Sequence, residues 1–85
     1  MRVEAVFRTE SLDLAAFLVT AGHEPHIFRN PHERRAIFEF TETDDLLRAI
    51  INYESGSSLP AKRLLNIRSR LFREASQVVK GGAGS

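Results

Sequence analysis

The stretch 59–80 constrains this chain more than any other part of it. At about 100° per residue, Leu64, Leu65, Ile67, Leu71, Phe72, Ala75, Val78 and Val79 fall within one half of a helical wheel. Lys62, Arg63, Asn66, Ser69, Arg70, Arg73, Gln77 and Lys80 fill the opposite half, a basic wall free of acids. A helix divided in this way must bury one side against other elements, and it turns a row of cations outward. Ser58 is expected to cap it, with Pro60 in its first turn, where proline fits.

The rest of the chain supplies what that helix needs. Residues 2–8 alternate, with Val3, Ala5 and Phe7 on one face and Arg2, Glu4, Val6 and Arg8 on the other, which predicts a half-buried strand. Ser11 and Asp13 suit a helix start, and Gly22 suits its left-handed stop. The helix between them is apolar nearly all round, so cover is expected on two sides. Glu24 to Arg29 reads as a second strand and Arg35 to Thr41 as a third, joined by a turn at Asn30-Pro31-His32-Glu33. Ala36, Phe38 and Phe40 are expected inside. A helix capped by Thr41 or Thr43 and reaching Tyr53 is expected to turn Leu46, Leu47, Ile50 and Ile51 inward.

The expected fold is α+β, in the order β-α-β-β-α-α, with a three-stranded mixed sheet and helices packed on one face. Eighty-five residues make one small domain, placed at 1–80, and Gly81 to Ser85 read as a disordered linker-like tail. The absence of cysteine excludes disulfides, thiolate catalysis and cysteine zinc sites. No leader or membrane span is visible, so a cytoplasmic location is expected.

The run Phe7-Arg8-Thr9, Leu12, Ala15-Ala16-Phe17-Leu18 and Gly22-His23, followed by the strand Ala36-Ile37-Phe38-Glu39-Phe40, resembles a family of small bacterial and phage domains of unknown function. The likeness covers most of residues 5 to 73. It implies the same β-α-β-β-α order and a bacterial or mobile-element origin, and it transfers no catalytic residue.

Charge is unevenly spread. Residues 59–85 carry six Lys and Arg against Glu74 alone, whereas residues 41–58 carry Arg48 against Glu42, Asp44, Asp45 and Glu54. Binding to the backbone of DNA or RNA is therefore expected through Lys62, Arg63, Arg70, Arg73 and Lys80, with Arg34 and Arg35 of the hairpin as weaker contributors. The bland reading of the same pattern is a solvated helix face. Arg68 sits inside the apolar arc, where an unpaired guanidinium is very costly. It is expected to snorkel to an edge, to pair with a carboxylate such as Glu39, or to mark a partner surface. Val6 and Ile37 on the outer sheet face are candidates to seed a dimer.

Catalytic and metal signatures are weak. His23, Glu24, His26 and His32 lack metal-ligand spacing, and Ser11, Ser55, Ser57 and Ser58 sit at caps or loops rather than in a nucleophile elbow. Glu42, Asp44 and Asp45 occupy a helix start, where the macrodipole favours acids. The expectation is a non-enzymatic accessory without cofactor or metal. The alternative is a protein-interaction or self-assembly module, whose arginines meet an acidic partner or the Glu42–Asp45 segment of a neighbouring copy.

Overall fold

The computed structural model describes residues 5–84, with side chains through Gly81. The chain runs β1 (Val6–Thr9), α1 (Leu12–Thr20), β2 (His26–Arg29), β3 (Ala36–Thr41), α2 (Asp44–Glu54) and α3 (Ala61–Gly84). The expectations for Arg2, Val3 and Glu4 lie outside the described residues.

Helix boundaries follow from local hydrogen bonding. Ser11 Oγ accepts from the Leu14 amide and Thr43 Oγ1 from the Leu46 amide, both at 3.1 Å, so each hydroxyl satisfies a donor with no intrahelical partner. Asp13, Asp44 and Asp45 lie in the first turns, where the helix dipole favours them. α1 ends on Gly22 at φ +108°, with the His23 amide donating to the Leu18 carbonyl at 3.0 Å. α2 ends the same way on Gly56 at φ +83°, with the Ser57 amide donating to Asn52.

α3 departs from expectation at both ends. The Pro60 carbonyl accepts from the Leu64 amide at 3.0 Å, so Pro60 flanks the helix and Ser58 is not its cap. Proline disfavours helical geometry in the residue before it, which keeps Leu59 out of the helix. At the far end α3 continues to Gly84, through residues expected as an unstructured tail.

The sheet is antiparallel throughout, in the order β1-β3-β2, rather than mixed. β1 and β2 do run parallel, as a crossover through α1 requires, but they leave a gap one strand wide. β3 returns from the hairpin and fills it. Phe7 pairs with Phe40 and Ile27 with Phe38 on the inner face, whereas Arg8 and His26 flank Glu39 on the outer face. Ala5, expected on the inner side of the first strand, is exposed.

All helices pack on the inner face, and the molecule is 17 Å across its thinnest direction, the depth of one sheet and one helix layer. α1 lies between α2 and α3, touching both. It therefore buries Leu14, Ala15, Ala16, Phe17, Leu18 and Val19 in succession, the two-sided cover its apolar circumference calls for. Phe38 and Phe40 from the sheet, Leu46 from α2 and Leu71 from α3 complete the core. α2 meets α1 along a narrow face only, where Leu46 and Ala49 are buried and Phe17 stacks edge-on against Tyr53 at 5.4 Å. Leu47 and Ile51, expected inward, face solvent instead.

Candidate nucleic-acid interface

α3 presents three faces. Leu64, Ile67, Leu71, Ala75 and Val78 occupy an arc of about 80° on the wheel and meet α1 and the sheet, with Leu71 fully buried. This is narrower than the half-wheel read from sequence. Leu65 and Phe72, expected in that stripe, are 61% and 59% exposed. The physical reason is position: α3 sits at the side of the helix layer, so no element covers its far flank.

The cations separate into two groups. Lys62, Arg63, Arg73 and Lys80 are exposed and make no ion pair among the described residues. Lys62, Arg73 and Lys80 share the outward line, spaced about 16 Å and 10 Å apart at 1.5 Å per residue. Those separations are about five and three rises of one nucleic-acid strand. Asn66, Ser69 and Gln77 add exposed neutral donors nearby.

Arg70 does not belong with them. Its guanidinium lies 3.5 Å from Glu24 and 3.1 Å from Glu74. Glu24, just ahead of β2, comes against the flank of α3, so the wall is not acid-free in three dimensions. Arg68 pairs with Asp13 of α1 at 2.6 Å rather than with Glu39, which is held by Arg8 at 2.7 Å on the opposite side of the sheet.

The hairpin arginines reach the same end of α3. Arg34 and Arg35 lie with Lys80 around an open groove of about 500 Å³, floored by Leu12, Phe38, Phe72 and Val79. Arg35 is occupied by Glu10 at 3.2 Å and Glu33 at 3.7 Å, while Arg34 makes no ion pair among the described residues. Four separate elements build this groove. No local pattern announces it, and its sole trace in sequence is that the apolar side of α3 is wider than one contact needs.

The outer sheet face holds Val6 and Ile37 at opposite ends, separated by the Arg8–Glu39 pair. Arg8 also lies 5.9 Å from the Phe28 ring centroid, and His26 stacks on Phe28 at 5.6 Å. The two apolar candidates therefore do not form one patch. Among the described residues no group of three or more His, Asp or Glu is placed to hold a metal ion. No described helix is long and apolar enough to cross a membrane.

Fold and surface together define a small two-layer α+β module whose C-terminal helix carries exposed cations. The chain belongs to a family described as a domain of unknown function (DUF5659), whose model matches residues 4–80. No curated protein and no solved structure matches it.

Proposed function

We propose that this protein is a non-enzymatic accessory of a bacterial or mobile-element system that binds nucleic-acid backbone through the outward face of α3. Lys62, Arg63, Arg73 and Lys80 are the contacting cations, with Arg34 reaching the same strand beyond Lys80. The observation that carries this reading is their exposure along one helix without a neutralising acid. Binding then proceeds by counterion release, so affinity falls steeply with salt. No aromatic lies on the outward line, so there is no stacking platform to read single-stranded bases, and sequence preference is weak.

Fluorescence anisotropy with random DNA and random RNA at two salt concentrations tests it. The double variant Lys62→Glu, Arg73→Glu is expected to abolish binding while the protein stays folded. Unchanged binding by that variant overturns the proposal. A second reading, a protein-interaction or self-assembly module, is favoured by the exposed apolar side chains of α2 and α3.

A further inference from the structure

Among the described residues two helix surfaces leave large apolar side chains in solvent, and their charges are opposite. On α2, Leu47 and Ile51 are 40% and 62% exposed. Asp44, Leu47, Ile51 and Glu54 follow the spacing i, i+3, i+7, i+10, which places them on one helix face. This stripe points away from the buried Leu46 and Ala49. It is acidic at both ends, about 15 Å apart, and neither Asp44 nor Glu54 makes an ion pair among the described residues.

The groove beside α3 has the complementary pattern. Its apolar floor includes the exposed ring of Phe72, and its rim holds the Arg35–Glu10 pair together with Arg34 and Lys80, the last two without an ion pair among the described residues, which leaves the rim net basic. Within one chain the two surfaces do not meet, because α1 lies between α2 and α3.

We propose that the α2 stripe of one copy docks into the α3 groove of a second copy. Leu47 and Ile51 would lie against Phe72 and Val79, and Asp44 and Glu54 would meet Arg34 and Lys80. Groove against groove sets Arg34 and Lys80 beside their own equals, and stripe against stripe sets acid on acid. Like charges facing each other across an interface are strongly disfavoured. Stripe into groove is the one pairing that matches both apolar area and charge, and it joins unlike patches head to tail. The proposal does not depend on nucleic-acid binding. Arg34 and Lys80 are shared with the proposed nucleic-acid contacts, but neither Phe72 nor Ile51 lies on the Lys62–Arg73–Lys80 line, so substitutions at these two positions test assembly alone.

Light scattering across concentrations up to about 1 mM, the weak end of specific association, tests it with two variants. Phe72→Glu spoils the groove and leaves the stripe intact; Ile51→Lys does the reverse. The wild-type mass is expected to rise above the monomer with concentration and to fall back in high salt. Each variant alone is expected to stay monomeric, and an equimolar mixture to form dimers and stop there. Both positions are more than half exposed, so thermal melts are expected to be unaltered. Asp44→Lys repeats the stripe half of the test by charge alone. A wild type that stays monomeric, an Ile51→Lys protein that assembles like wild type, or a mixture that stays monomeric overturns the proposal.

Discussion

Arg68 Nε donates to Asp13 Oδ1 at 2.6 Å, joining the middle of α3 to the first turn of α1 across 55 residues of chain. The pair explains how a guanidinium sits beside an apolar arc without being buried unpaired. Its side chains are 47% and 64% exposed, so the stem packs while the head stays at the edge of solvent. Exposed pairs contribute about 0.2–1 kcal/mol. A double-mutant cycle on Arg68→Ala and Asp13→Ala is expected to return a coupling of about 0.5 kcal/mol that shrinks in high salt. Denaturant unfolding at low and high ionic strength measures it.

The two sides of the α3 stripe differ sharply in cost. Leu71 is fully buried, and Leu71→Ala is expected to destabilise by about 2–5 kcal/mol through lost burial and the cavity left behind. Leu65→Ala, at 61% exposure, is expected to stay within about 0.5 kcal/mol. Urea midpoints of the two variants check this directly, and equal losses would show that the far flank of α3 is covered after all.

Gly22 tests backbone geometry alone. A Cβ built there meets nothing within 4 Å, yet φ is +108°. Gly22→Ala is therefore expected to cost about 1–2 kcal/mol from conformation and not from collision. Thermal melting would show the loss, and Gly22→Asn is expected to recover part of it.

Thr43 holds the start of α2. Removing its hydroxyl as Thr43→Ala orphans the Leu46 amide, for an expected loss of about 1 kcal/mol. Thr43→Ser is expected to keep most of the stability. Hydrogen exchange at the Leu46 amide is the local readout, and it should rise in the alanine variant alone.

Arg70 and Arg73 are neighbours in the basic face with different expected roles. Replacing Arg73 by alanine is expected to reduce the salt slope of nucleic-acid affinity by about 1. Replacing Arg70 by alanine removes a cation that Glu24 and Glu74 already engage. That slope is expected to hold. Anisotropy titrations over a salt series distinguish the two.

Much of the fold is legible in local pattern, because helix caps, alternation and left-handed glycines act within a few residues of themselves. Ser11, Thr43 and Gly22 do what short-range hydrogen bonding and sterics require, and the apolar circumference of α1 dictates two-sided cover wherever the partners come from. The outward positions of Lys62, Arg73 and Lys80 follow from helical period in the same way. Tertiary structure alone decided that β3 inserts between β1 and β2. It also left the far flanks of α2 and α3 open, so that Leu47, Ile51, Leu65 and Phe72 face water. Which carboxylate meets which guanidinium across elements was settled there too: Asp13 for Arg68, Glu24 for Arg70, Glu39 for Arg8. Such pairings join residues far apart in the chain, and a periodic pattern carries no term for what approaches a face from outside its own element.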